Sequence, residues 1–100
     1  MTISQKQIEF ERQLDISLLR QFKKYGNIEL LSEAYDRYVP LVYGLAFNRL
    51  QQNKFAQKVV ISVFEQLTVA AVQANIDNLR DWIFESTSKC CEKVKLNEHK

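Results

Sequence analysis

The chain has 100 residues, which is the length of one ordinary domain and too short for two independent cores. Apolar residues make up 46% of it and charged residues 26%, a balance that excludes an intrinsically disordered chain. The net charge of +2, from 14 basic and 12 acidic side chains, is too small to hold a protein on nucleic acid by charge alone.

Glycine and proline are scarce, with two glycines and one proline in the whole chain, and long helices tolerate few of either. We therefore predict a single all-α domain over residues 1–100. Its first helix is predicted from about Ser4 to Tyr25. Gly26 is suited to the left-handed conformation that closes a helix, and Asn27 is suited to starting the next one.

The middle of the chain contains its only proline, Pro40. Apolar residues between 30 and 38 recur at helical spacing and predict a second helix. Because proline cannot continue a helix but fits its first turn, a third helix is expected to begin at Pro40. The polar residues 51–53 are expected to end it.

The fourth predicted helix has the clearest pattern, because its apolar residues between 55 and 71 follow the three-and-four spacing of a core-facing stripe. Asn78 is the predicted N-cap of the last helix, with Asp81 adding negative charge to its first turn. About five helices with short connections make a compact bundle. The large apolar side chains predicted to form its core are Leu31, Tyr35, Val42, Leu45, Ala46, Val59, Val63, Phe64, Leu67, Leu79, Trp82 and Ile83.

No combination of residues predicts a catalytic or metal site. His99, the only histidine, lies next to the C-terminus and has no partner positioned by spacing. Cys90 and Cys91 are adjacent, whereas a zinc half-site separates two thiolates by two residues, so we expect one to face the core and one to face solvent. The sequence therefore predicts a protein that is not an enzyme and uses no cofactor or metal.

The adjacent cysteines predict a reducing, cytoplasmic setting, since vicinal cysteines rarely form a disulfide with each other. The N-terminus has no apolar run typical of a signal sequence, and no stretch is expected to be long enough to span a bilayer. We therefore predict no membrane partner.

The aromatic residues on the helices allow two interpretations. Tyr35, Tyr38, Tyr43 and Trp82 are typical of a helical core, but aromatic rings also stack on unpaired bases where basic residues surround them. Arg49, Lys54 and Lys58 form a small basic stretch with no acidic residue between them. Solvated helix ends account for these charges as well.

Three segments of the chain follow one another in a characteristic order. Residues 18–27 read LLRQFKKYGN, residues 31–46 read LSEAYDRYVPLVYGLA, and residues 78–84 read NLRDWIF. These segments resemble the opening helix and turn, the L-Y-x-R-Y-x-P-x-V-Y-x-x-A segment and the N-L-R-A-W-L-Y segment of region 2 of extracytoplasmic-function (ECF) sigma factors. The resemblance covers about residues 15–95 and implies the small helical bundle of that region.

The resemblance also implies a function and two surfaces. Sigma region 2 docks on the clamp helices of the β′ subunit of bacterial RNA polymerase and holds promoter DNA open, so a sigma-like domain in transcription initiation is implied. The residues implied to face polymerase lie on the exposed side of the fourth predicted helix: Gln57, Lys58, Ile61, Ser62 and Glu65. The residues implied to face promoter DNA lie on the last helix: Arg80, Phe84, Ser88, Lys89 and Lys93. Among these, Arg80 matches the family motif.

The chain departs from the family pattern on both surfaces. Residues 56–64 read AQKVVISVF where the family has roughly A-E-D-L-V-Q-E-V-F, so Lys58 reverses a charge and Ile61 replaces a polar residue. Glu85 stands where a basic residue is common. The chain also ends at Lys100 without region 4, the promoter-reading helix-turn-helix domain, so it is either a fragment of a longer factor or a stand-alone protein.

These departures favour a second function. A degenerate region 2 would serve as a protein-interaction or regulatory module without promoter-melting activity. Its partner would be a regulator of sigma factors (an anti-sigma factor) or a second copy of the chain. Ile61 supports this alternative, because an exposed apolar side chain suits an apolar partner or a homodimer contact.

Overall fold

The computed structural model of the chain describes residues 5–73 and 76–98, and all of its regular structure is helical, as predicted. Four α-helices follow in order: α1 (Gln5–Tyr25), α2 (Ser32–Leu50), α3 (Asn53–Gln73) and α4 (Leu79–Glu98). A short 3-10 helix (Ile28–Leu31) joins α1 to α2. The predicted helix start at Ser4, the loop residues 74 and 75, and His99 lie outside the described residues.

The predicted helix ends are confirmed at both junctions. Gly26 has a φ of +68° and its N–H donates to the carbonyl of Phe22 at 2.8 Å, which closes α1. The Asn27 side chain accepts the N–H of Glu29 at 3.0 Å and so caps the 3-10 helix. The Asn78 side chain accepts the N–H of Asp81 at 3.1 Å at the start of α4.

The predicted helix boundary at Pro40 is wrong, because α2 continues through it and the expected second and third helices are one. Ala34, Tyr38, Val42 and Ala46 are buried at four-residue spacing on both sides of the proline. A proline inside a helix costs roughly 3 kcal/mol. Burial of the Val42 side chain alone stabilises the fold by roughly 1.5–3 kcal/mol. Only an unbroken helix keeps all four buried residues on one face. Pro40 itself is exposed, so its ring displaces no core side chain.

The core lies between α2, α3 and α4, each of which contacts the other two, while α1 packs on the 3-10 helix, α3 and α4. The apolar stripe of α3 is buried as its spacing predicts, from Phe55 to Ala71. Most of the predicted core is confirmed, and its buried members are Leu31, Val42, Ala46, Val59, Val63, Phe64, Leu67, Leu79 and Ile83.

Three predicted core residues lie at the edge of the core instead. Tyr35, Leu45 and Trp82 are half-buried, and Tyr35 and Trp82 pack against the buried cluster. Tyr35 has a polar group to satisfy, and its hydroxyl lies 2.8 Å from the hydroxyl of Thr68 while its ring meets Phe64 edge-on. The rings of Tyr35 and Trp82 therefore lie at the rim of the core.

The expectation that one cysteine faces solvent is wrong, because Cys90 and Cys91 are both buried and both are free thiols. The reason is that α4 contacts α1, α2 and α3, so its buried arc is wide enough for two neighbouring residues. Burial raises the pKa of the Cys91 thiol, which keeps it in the unreactive protonated form.

We expect neither thiol to react with an aromatic disulfide reagent in native buffer, and both to react in denaturant, because the reagent attacks exposed thiolates. Absorbance of the released thiol measures this directly. The variant Leu96→Cys, at a position that is 68% exposed on the same helix, serves as the positive control and should add one fast-reacting thiol. A fast reaction of the unmodified chain would place a native cysteine at the surface.

The expectation that no stretch is long enough to cross a bilayer is also wrong. By length and composition α3 qualifies, with a mean hydropathy of 1.4 over its most apolar window. In the structure 39% of that window is buried in the bundle, where the apolar stripe of α3 forms the core. Core packing therefore accounts for much of its apolar content.

Candidate functional site

The residues predicted to face polymerase lie mostly on the outside of α3. Gln57, Lys58, Ile61 and Glu65 are exposed on the side of the helix opposite its buried stripe, and we call these four the α3 outer face. Ile61 is 59% exposed, which is unusual for a large apolar side chain. The structure thus brings four of the five predicted residues together on one accessible helix surface.

The fifth predicted residue, Ser62, turns toward α4 and is half-buried. Its hydroxyl accepts a hydrogen bond from the Gln66 side chain at 3.2 Å and lies 3.6 Å from the thiol of Cys90. Ser62 therefore takes part in the contact between α3 and α4 and is less accessible than the other four predicted residues.

Two lysines at the start of α3 carry positive charge that pairs with no acidic side chain among the described residues. The ammonium groups of Lys54 and Lys58 lie 4.9 and 5.9 Å from the centre of the Phe55 ring. Within residues 5–73 and 76–98, neither lysine forms an ion pair. A partner that covers this end of the α3 outer face should therefore present negative charge.

An apolar groove runs beside the α3 outer face, between α2 and α3. This α2–α3 groove encloses about 510 Å³ and is lined by Val39, Pro40, Tyr43, Asn53, Gln57, Val60 and Ile61. The hydroxyl of Tyr43 donates to the side chain of Asn53, and its ring stacks on Phe47 at 6.1 Å. Gln57 and Ile61 were predicted to lie on a partner-facing surface, whereas Val39, Pro40 and Val60 were not, because they come from a different helix or a different face of α3.

The residues predicted to face DNA are spread along α4 and are partly engaged within the chain. Arg80 donates to the carboxylate of Glu11 on α1 at 3.1 Å, and its guanidinium lies 5.9 Å from the Phe84 ring centre. Lys89 pairs with Glu85 one turn earlier at 3.1 Å. Ser88 is half-buried, and Lys93 is exposed. Two of the three predicted basic residues are thus already paired with carboxylates.

A buried polar cluster that the sequence reasoning missed joins α1 to α2. Both carboxylate oxygens of Asp15 are used: one accepts from Arg37 at 2.5 Å and the other from the hydroxyl of Tyr38 at 2.6 Å. Asp15 is 4% exposed. Burial and the Asp15 hydrogen bond raise the pKa of the Tyr38 hydroxyl, so it remains a proton donor.

A signal for this cluster was present in the sequence. Glu11 and Asp15 occupy the same helical face as Leu18 and Phe22, so two acidic residues stand where the periodicity expects apolar ones. Acidic residues at core-facing positions require basic or hydroxyl partners. The segment that resembles sigma factors supplies them as Arg37 and Tyr38.

Glu11 and Arg80 also line a cavity of about 400 Å³ on this side of the bundle. We call it the arginine cavity, because two guanidinium groups face it against one carboxylate. Its lining residues are Glu11, Arg37, Tyr38, Pro40, Leu41 and Arg80.

No metal-binding cluster of three or more histidine, cysteine or acidic side chains occurs among residues 5–73 and 76–98. Comparisons of the chain with protein-family profiles, with curated protein sequences and with solved structures find no match.

Proposed function

We propose that this chain is a sigma region 2-like domain that acts in bacterial transcription initiation, in the cytoplasm, by binding core RNA polymerase through the α3 outer face. One observation carries the proposal. The resemblance places the surface for the β′ subunit on this helix, and Gln57, Lys58, Ile61 and Glu65 are all exposed there, with no other helix covering them. Promoter DNA is the second proposed partner, through Arg80 and Phe84 at the start of α4.

The charge of the α3 outer face defines what the polymerase surface must offer. Lys54 and Lys58 form no ion pair with the described residues, whereas the family pattern has a carboxylate where Lys58 stands. Like charges placed opposite each other can cost several kcal/mol at an interface. The matching polymerase is therefore one whose docking surface is acidic or neutral beside this position.

The replacement Ile61→Glu is expected to weaken binding to core RNA polymerase by about tenfold or more, because it places a charge in the centre of the α3 outer face, and about 1.4 kcal/mol corresponds to tenfold. Binding is measured by co-purification with core enzyme over a salt series, with an authentic sigma factor as competitor. Ile28→Glu introduces the same charge at a position that is 52% exposed outside α3 and serves as the control. Failure of the unmodified chain to bind at low salt would reject the proposal.

A second candidate function is a protein-interaction module without promoter-melting activity. The α2–α3 groove favours it, because Val39, Val60 and the exposed Ile61 form an apolar surface beside the basic start of α3, whose lysines pair with no acid among the described residues. The pairing of Arg80 and Lys89 with carboxylates also leaves less charge for DNA. The proposed partner is a regulator of sigma factors or a second copy of the chain.

Sedimentation separates the two candidates. A dimer that forms with rising concentration and is lost in Ile61→Glu, together with no polymerase binding, would favour the module. A monomer at high concentration that binds polymerase would exclude self-association and support the sigma-like function.

A further inference from the structure

Arg80, the predicted DNA-facing residue that matches the family motif, forms an ion pair with Glu11. The two side chains are each 32% exposed, and the pair lies at the edge of the arginine cavity. A second guanidinium, that of Arg37, lines the same cavity. Its Nε and Nη1 atoms have no hydrogen-bond partner among the described residues, since Asp15 satisfies only Nη2. This corner of the bundle therefore holds more cationic donors than acceptors.

Two of the three acidic residues of α1, Glu11 and Asp15, are held in very different ways. Asp15 is buried and bound by two groups, whereas Glu11, one turn earlier, makes a single ion pair in which both side chains are half-buried and still reached by water. An ion pair that water reaches contributes less to stability than a fully buried one and is weakened further by salt. Glu11 can thus leave Arg80 at small cost while Asp15 keeps α1 in place.

We propose that the Glu11 carboxylate is an internal occupant of a phosphate-binding site at Arg80, and that a phosphodiester of single-stranded nucleic acid displaces it. A guanidinium binds carboxylate and phosphate oxygens with the same planar geometry, so one exchanges for the other. The Phe84 ring beside Arg80 gives a base a surface for stacking. The choice of nucleic acid as the source of the phosphate rests on the proposed function.

The test compares Glu11→Gln with Glu9→Gln, which removes the same charge from the same helix. Glu9 is exposed and forms no ion pair with the described residues. Binding of a fluorescent single-stranded oligonucleotide is measured by anisotropy over a sodium chloride series. We expect Glu11→Gln to bind about two- to fivefold more tightly than Glu9→Gln, the scale of one exposed charge contact. Its salt dependence should be steeper by about 0.7 in logarithmic slope, the value for one added phosphate contact on a single strand.

Further variants identify the site. Arg80→Gln in the Glu11→Gln background should abolish the gain, and circular dichroism should show that all variants remain helical. Equal affinities of Glu11→Gln and Glu9→Gln, or a gain that survives Arg80→Gln, would overturn the proposal. If Glu11→Gln bound inorganic phosphate through Arg80 but did not bind the oligonucleotide more tightly than Glu9→Gln, the site would be a free-phosphate site and the nucleic-acid assignment would be overturned.

The outcome is independent of polymerase, since the oligonucleotide assay contains none. If the unmodified chain did not bind polymerase but Glu11→Gln still tightened oligonucleotide binding, only the proposed docking on polymerase would be rejected. If the chain bound polymerase but Glu11→Gln did not tighten oligonucleotide binding, only the proposal that Glu11 occupies a phosphate site would be rejected.

Discussion

Asp15→Ala is expected to lower the free energy of unfolding by about 3–5 kcal/mol, the cost of removing one partner from a buried ion pair. Asp15 is 4% exposed and accepts from both Arg37 and Tyr38. Without it, the Arg37 guanidinium would lose its one acceptor among the described residues and remain a largely buried, uncompensated charge. The Tyr38 hydroxyl would also lose its acceptor.

Urea denaturation followed by circular dichroism measures this loss. Glu9→Ala, which removes an exposed carboxylate from the same helix, should change the free energy of unfolding by less than about 0.5 kcal/mol. The double replacement Asp15→Leu with Arg37→Met should cost less than Asp15→Ala alone, because it removes both charges. If Asp15→Ala were as mild as Glu9→Ala, the buried contact to Arg37 would not exist in solution.

Leu67→Ala is expected to lower the free energy of unfolding by about 2–5 kcal/mol, because it removes buried surface and leaves a cavity. Leu67 is fully buried in the stripe of α3. Since α3 contacts all three other helices, the walls of the cavity are held in place from several sides and can collapse only partly.

Leu96→Ala is the matched control, since Leu96 is 68% exposed near the end of α4. It should change the free energy of unfolding by less than about 0.5 kcal/mol. Both variants are compared in the same denaturant titration. A similar effect of the two would mean that α3 does not pack as the centre of the bundle.

The helices themselves follow from local patterns in the sequence. The stripe of α3, the left-handed Gly26 and the caps at Asn27 and Asn78 were all predicted, because each depends on residues within a few positions of one another. Pro40 was misjudged for the opposite reason. A proline destabilises its helix locally, but here burial of Tyr38, Val42 and Ala46 stabilises the continuous helix. That burial depends on α3 and α4, so it cannot be read from the residues around Pro40.

The candidate surfaces also combine features that local spacing predicts with contacts between residues far apart in the sequence. Helical spacing was enough to place Lys58, Ile61 and Glu65 on the outside of α3. The pairing of Arg80 with Glu11 joins residues 69 positions apart, so neither partner's neighbourhood contains the other. The inward turn of Ser62 likewise depends on Gln66 and on Cys90 of another helix.

The N-terminal part of α1 is held less firmly than the rest of the bundle, which affects where the chain unfolds locally. Residues 5–10 are all exposed, and only Asp15 and Phe22 of α1 are buried. Such a segment unfolds locally at far lower free energy than the bundle as a whole. Among the described residues, the N-terminal part of α1 is therefore where we expect a protease to cut most readily. Cleavage after the exposed Arg12 would remove Glu11 while Asp15 and the core stay in place, so it would leave Arg80 without its carboxylate partner.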